Sequence, residues 1–217
     1  MHLKRSNIPK FWQVPRKGTK YMAVPSHNQA ESIPMVIVVR DILGLAKNKK
    51  EVERMIKEKL VQINHKEIKE TNYPLSLFDV LTFPHSKKNY RAILSEKRKM
   101  IFEEISDKEA ETKIFKVLNK HLLPGKDVQV NLMHGINVNS KEKVSVGESV
   151  VLNLKEKKII KVIPLEKGRE AFIVEGKHAG NKGKIDDLVV RGGKNIAKIT
   201  SGKGKVNVWT KNIIVIN

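Results

Sequence analysis

Apolar positions recur along this chain with two periods, and the switches between them mark the elements. From Pro34 onward Met35, Val36, Val39, Ile42 and Leu43 fall at helical spacing, predicting a helix that opens on the proline and ends or loosens at Gly44. Asn48 stands where it can cap a second helix. Val52, Met55, Ile56 and Leu60 line one face of that helix, and Lys49, Lys50, Arg54 and Lys57 occupy the rest. The period then drops to two. Val61 and Ile63 alternate up to Asn64-His65, which predicts a hairpin turn, with Ile68 and the run Phe78 to Leu81 beyond it. Strand-like segments follow at Val128, Val130, Leu132 and Val138, and at VGESVVLNL over 146 to 154. Later ones fall at 171 to 174, 185 to 190, 206 to 209 and 213 to 216.

Between the strands at 171 and 185 lies a glycine-punctuated basic turn, EGKHAGNKGK. Gly176, Gly180 and Gly183 offer positions where φ can be positive or where a backbone can approach a partner closely. They gather Lys177, His178, Lys182 and Lys184, a cluster suited to phosphate. No Gly-Lys pair is followed by Ser or Thr, so a nucleotide-binding phosphate loop is excluded, and the glycine spacing does not fit a dinucleotide fingerprint. The strands after Arg191 alternate with further glycine-basic turns carrying Lys194, Lys203 and Lys205, and are expected to complete a barrel.

Residues 1 to 33 form an arm with Pro9, Pro15, Gly18 and Pro25 among Lys4, Arg5, Lys10, Arg16, Lys17 and Lys20. It shows no continuous apolar face, so it is expected to order on a partner. Phe11, Trp12 and Tyr21 would either stack on bases or pin the arm to its own protein.

Charge decides the class of partner. Lys plus Arg number 43 against 23 Asp plus Glu, a formal net charge of +20, and this excess points to a polyanion. Nucleic acid is favoured over membrane because no run approaches the ~18 apolar residues of a spanning helix. The chain has no cysteine, which excludes disulfides and thiolate chemistry, and its seven histidines have no metal-ligand spacing. Glu103, Glu104, Asp107, Glu109 and Glu111 cluster without an accompanying nucleophile or base, so neither catalysis nor a cofactor, metal or small-molecule substrate is expected. The N-terminus lacks the apolar stretch of a secretory signal, and a cytoplasmic location is expected.

Several stretches resemble known modules. VEGKHAGNKGKI resembles a KOW motif, the strand, glycine turn and strand of a small SH3-like barrel. The two helices and hairpin of residues 34 to 84 resemble an S4-type RNA-binding domain, with His65 where that domain usually has Gly. In their order the arm with PKFW, SIPMVIVVR, YPLSLFDV, VGESVVLNL and the KOW-like loop are similar to the small-subunit ribosomal protein S4e family of archaea and eukaryotes. The resemblance implies an α+β, multi-module chain: a basic extension (1–33), an S4-type domain (34–84), a central β-rich domain (85–165) and a KOW SH3-like barrel (166–217). It implies a non-enzymatic ribosomal constituent whose partners are small-subunit ribosomal RNA and neighbouring small-subunit proteins. Expected RNA contacts are the arm cations, Lys49, Arg54, Lys57 and Lys66 of the S4-type part, and Lys177, His178, Lys182, Lys184 and Arg191 of the last domain. A KOW-type transcription elongation factor or an RNA-processing factor is the alternative.

Overall fold

The first strands are short because the arm is held by packing more than by ladders. A computed structural model describes residues 2–124, 128–140, 143–202 and 204–217; Lys203 lies outside them. Strand β1 (Leu3–Lys4) pairs antiparallel with β2 (Tyr21–Met22), and β3 (Ile33–Pro34) pairs with β6 (Pro74–Leu75). Between β1 and β2 the Trp12 side chain is 1% exposed, and its indole N–H donates to the Ser32 carbonyl at 3.1 Å. Leu3, Ile8, Phe11, Val14 and Met22 pack on the same core. This corrects the expectation of an arm without a core. Its apolar residues have no regular period because no regular element carries them, yet together they bury one face of the loop.

Pro34 precedes helix α1 (Met35–Ile37), which continues as a π-helical turn over Val38–Ile42. Met35 through Val39 are all buried, so this first part of the helix is apolar on every side and lies inside the core, while Arg40 and Asp41 near its end reach the surface and pair with each other. Helix α2 (Lys49–Lys57) starts where the sequence predicts: the Asn48 side-chain oxygen accepts from the Glu51 backbone N–H at 2.9 Å. Val52 and Ile56 face the core.

Strands β4 (Gln62–Ile63), β5 (Lys66–Glu67), β7 (Val80–Phe83), β8 (Lys88–Leu94) and β9 (Met100–Ile105) form one antiparallel sheet in the order β5-β4-β7-β8-β9. The expected break at residues 84 and 85 thus falls in a turn between paired strands, with Leu81 opposite Tyr90. The charged stretch containing MIFEEI becomes strand β9, whose inner positions are filled by Met100 and partly by Phe102, both packed on the same core. The single turn α3 (Asp107–Ala110) carries a capping box between Ser106 and Glu109.

The described chain divides into two compact units, Met1–Leu94 with Arg98–Glu111, and Ser95–Lys97 with Thr112–Asn217. The second contains two five-stranded antiparallel sheets. One is built of β10 (Thr112–Leu122), β11 (Val128–Leu132), β12 (Asn137–Ser140), β13 (Ser149–Asn153) and β14 (Ile159–Ile163) in the order β12-β11-β10-β13-β14. The other is built of β15 (Glu170–Ile173), β16 (Lys182–Arg191), β17 (Lys194–Ser201), β18 (Gly204–Trp209) and β19 (Ile213–Val215) in the order β18-β17-β16-β15-β19. Its inner face packs Ala171, Ile173, Ile185, Ala197, Ile199, Val208, Ile213 and Val215. The whole is mostly β-strand with a few short helices.

Lys116, on β10, is 4% exposed and ties the two sheets together. Its ammonium donates to the Thr210 carbonyl and, at 2.7 Å, to that of Ile213. Burial with no carboxylate among these partners pushes its pKa down to about 8. The Ser149 hydroxyl accepts from the Val215 N–H at 2.9 Å, a second tie between the same strands.

Candidate nucleic-acid interface

The glycine loop is shaped chiefly by the chain's own backbone. Strand β15 pairs with β16 through Glu170 opposite Lys184, Ala171 opposite Gly183 and Phe172 opposite Lys182. The turn between them closes with Gly180 N–H donating to Ile173 O at 2.8 Å and Ile173 N–H to Asn181 O at 3.0 Å. Gly180 has φ +91, and a Cβ there would lie 2.1 Å from the carbonyl oxygen of Ser95, which belongs to the same unit. Gly183 does not have positive φ; its Cβ would meet Thr200 O at 2.5 Å. Close approach is thus needed at both positions, and the atoms approached are protein. Ala179, Gly180 and Asn181 are buried, which leaves Lys177 exposed and His178 half-buried at the tip.

Strand register assembles the cations. Because side chains alternate across a strand, paired residues share a face. Lys184 pairs with Thr200 and Thr200 with Lys205; Asp187 pairs with Lys198; Arg191 pairs with Lys194; Ile196 pairs with Trp209. These residues form the outer face of β16, β17 and β18, opposite the apolar inner face. A bulge between Ile185 and Asp187 absorbs Asp186, whose carboxylate accepts from the Thr200 hydroxyl at 2.5 Å. Asp187 bonds Lys167 at 2.7 Å and lies 3.5 Å from Lys198; the hydrogen bond from Lys167 holds its carboxyl below the usual range. Of the predicted residues, Lys182, Lys184 and Arg191 stand exposed on this strand. Lys198, absent from the sequence-based set, and Lys194 and Lys205, read there only as turn decoration, join them. The signal for them was the two-residue alternation of KNIAKITS, in which Lys194, Ile196 and Lys198 fall on one side and Asn195, Ala197 and Ile199 on the other.

In the first unit Lys49, Arg54 and Lys57 are exposed on α2, and Lys66 is exposed on β5. Lys49 lies 3.5 Å from Glu53 one turn on, a solvent-exposed pair that leaves its ammonium available. The Asn64-His65 turn has φ +50 and +59, the left-handed pair of a two-residue hairpin, so His65 takes the conformation ordinarily given to Gly. Its Nε2 lies 3.1 Å from the Ala110 carbonyl, a contact that Gly cannot make.

Five arm cations, Lys4, Lys10, Arg16, Lys17 and Lys20, are exposed. Arg5 is different. Its guanidinium donates to the Thr19 carbonyl at 2.7 Å, the Pro15 carbonyl at 2.6 Å and the Thr19 hydroxyl at 3.0 Å, and it lies against Gly18. It therefore closes the arm's loop, and its donors point inward. Trp12 is likewise lost to base stacking by its burial, while Tyr21 remains half exposed with Lys20 5.4 Å from its ring centre. Among the described residues no three His, Asp or Glu are grouped to hold a metal ion, and no helix is long and apolar enough to cross a membrane.

Comparison with known proteins agrees in both units. The profile of the ribosomal family S4e matches residues 86–159, and that of the S4 domain matches residues 36–81. Small ribosomal subunit protein eS4 of Archaeoglobus fulgidus is 36% identical over 188 residues, covering 85% of this chain and 79% of that protein. Its counterpart in Nanoarchaeum equitans is 33% identical over 221 aligned positions, covering 99% and 94%. The crystal structure of the 30S ribosomal protein S4e from Thermoplasma acidophilum superposes with a TM-score of 0.74 at 22% identity, covering 86% of this chain and 95% of that one. That last likeness concerns the fold.

Proposed function

This chain belongs to the ribosomal S4e family, and from that premise we propose that it is a structural constituent of the small ribosomal subunit that binds ribosomal RNA. The family is one of ribosomal structural proteins rather than enzymes, and the role places the chain in the cytoplasm with the ribosome. The observation that carries the RNA-binding part is the register of β16, β17 and β18, which sets Lys184, Arg191, Lys194, Lys198 and Lys205 on one exposed face. A surface of this kind neutralises phosphates and releases counterions, which gives affinity and position without reading sequence.

Within this reading the glycine loop and its strands act as a KOW-type element of an SH3-like barrel spanning 166–217. The arm, an S4-type part and a central β-rich part are the other modules. The exposed cations of α2 and of the arm supply further RNA contacts, and neighbouring small-subunit proteins are the remaining partners. Sedimentation of cell extract through a sucrose gradient tests the proposal. The chain is expected with small subunits in near-stoichiometric amount, and its recovery with RNA polymerase or among free proteins would overturn it.

A further inference from the structure

Trp209 is an unusual residue for the outer face of a basic sheet. It is 45% exposed on the edge strand β18, and the Lys194 ammonium sits 4.5 Å from its ring centre. Its cross-strand partner Ile196 and the next partner, Val189, extend the apolar strip inward across three strands. Arg191 flanks the strip beside Lys194, and Lys198 follows one pair further along. The face therefore offers a flat aromatic surface bordered by cations. Of the acidic residues of β16 by this face, Asp187 is already engaged by Lys167 and Lys198, and Asp186 accepts from the Thr200 hydroxyl.

We infer that Trp209 is a stacking platform for an unpaired nucleobase of RNA, with Lys194 as the cation it releases to phosphate. The inference rests on the RNA-binding reading above and adds the chemistry of one contact. An exposed lysine on an indole favours the closed pair by only about two- to fivefold. A base stacked on an aromatic side chain contributes about fivefold to more than a hundredfold. A base thus outcompetes the ammonium for the ring. The displaced ammonium is then a side-chain length from the backbone of the same nucleotide, where it replaces a condensed counterion. A protein partner would bury the indole equally well, but it gains nothing from the three cations around the strip, Lys194, Arg191 and Lys198, unless it is strongly acidic. RNA matches both the ring and the charge. Duplex RNA keeps its bases stacked on each other and cannot use the ring, so the platform selects single-stranded segments.

The chain's two tryptophans make the test direct, because Trp12 is buried and only Trp209 meets solvent. Full-length protein is titrated with a 15-nucleotide single-stranded RNA of mixed sequence and with a duplex of the same length, following tryptophan emission and affinity. Single-stranded RNA is expected to quench the exposed component in the wild type. The Trp209→Ala variant should lose that quench, bind single-stranded RNA about five- to a hundredfold more weakly and bind the duplex as before, with circular dichroism and an unchanged thermal transition of the second unit reporting an intact fold. Lys194→Gln should keep the quench and lower the log-log salt slope by about one. Unchanged single-strand affinity in Trp209→Ala, or equal losses on both RNAs, would overturn the platform while leaving RNA binding itself standing. An unquenched Trp209 in RNA-saturated protein would overturn it too and assign the strip to a protein neighbour. Absence of binding to either RNA by the wild type would overturn the RNA-binding reading as well.

Discussion

Asn64 and Asp79 lock two turns of the first unit to each other. The Asn64 side-chain N–H donates to one Asp79 oxygen at 2.6 Å, and the Asn64 oxygen accepts from the Val80 N–H at 2.9 Å. The other Asp79 oxygen accepts from the Ser76 N–H at 2.6 Å. Asn64 has φ +50 in its hairpin, and Phe78, just before Asp79, has φ +62 with its N–H on the Ala92 carbonyl at 2.8 Å. The buried carboxylate thus satisfies the Ser76 N–H, and the Asn64 amide that it orients satisfies the Val80 N–H, backbone donors that tight turns would otherwise leave without partners.

Asp79→Ala should accordingly destabilise the protein by on the order of 3 kcal/mol, since it removes two charge-assisted hydrogen bonds and buries their donors. Asp79→Asn should cost less, because one oxygen remains to accept. Urea unfolding measures both. Loss of less than about 0.5 kcal/mol in Asp79→Ala, the range of a plain surface change, would show that the link adds nothing.

Most of this fold was legible where one face of an element is buried and the other wet. Asn48, the α2 stripe, the Asn64-His65 turn and the strands on both sides of the glycine loop follow from period and turn chemistry alone. The arm was legible only as an open choice, its aromatics either stacking on bases or pinning it to its own protein, and Trp12 and Phe11 take the second course. Trp12 is a core residue on a loop, with the partly buried Phe11 and Ile8 packed against the same core, and a loop has no period to betray a buried side. The strand MIFEEI was hidden by its acidic residues, because Glu103 and Glu104 lie near the edge of the sheet and need no burial. The candidate interface was half legible for a related reason. Cations on the glycine turn advertise themselves in sequence, whereas the company of Lys198 and Trp209 depends on pairing across three strands.

Trp12 gives the second prediction. The indole is 1% exposed, donates to Ser32, and its backbone carbonyl and that of Lys10 accept from the Lys99 ammonium at 2.9 and 2.6 Å. Phe11 O also accepts from the Met100 N–H at 2.8 Å. Trp12→Ala should cost about 3–5 kcal/mol, and deletion of residues 1 to 20 should destabilise the first unit at least as much. Thermal unfolding of the deletion variant decides it. An unchanged transition would restore the arm to a dispensable extension.

Lys116 makes stability depend on alkaline pH. Its folded pKa of about 8 lies below the ordinary lysine value of 10.5, so between these values the folded state holds fewer protons than the unfolded chain. Stability from this group is therefore lowest below pH 8 and rises as pH climbs toward 10.5, by up to about 3 kcal/mol for the full shift. Lys116→Met should flatten this rise while losing the bonds to Thr210 and Ile213. Denaturant midpoints at pH 7, 8, 9 and 10 for the two proteins check the sign. A wild-type midpoint that falls over this range in step with the variant would remove Lys116 as the cause.

The last prediction separates shape from charge in the glycine loop. Lys177, Lys182 and Lys184 are exposed and make no ion pair among the contacts described, so replacing all three by Gln should leave thermal unfolding nearly unchanged. If they neutralise phosphate, RNA affinity should fall for every sequence alike, and the log-log salt slope should drop by up to about three. Gly180→Val and Gly183→Val should behave oppositely. Their Cβ atoms would lie 2.1 Å from Ser95 O and 2.5 Å from Thr200 O, distances at which backbone must move, and Gly180 adds the cost of φ +91. Both should unfold at markedly lower temperature, and their loss of RNA affinity should follow from loss of fold. Thermal unfolding and RNA titration on the same samples distinguish the two classes. A triple-lysine variant that binds RNA with wild-type affinity and salt slope would reduce the loop to a structural turn, leaving the outer face of β17 and β18 and the α2 cations to carry the binding.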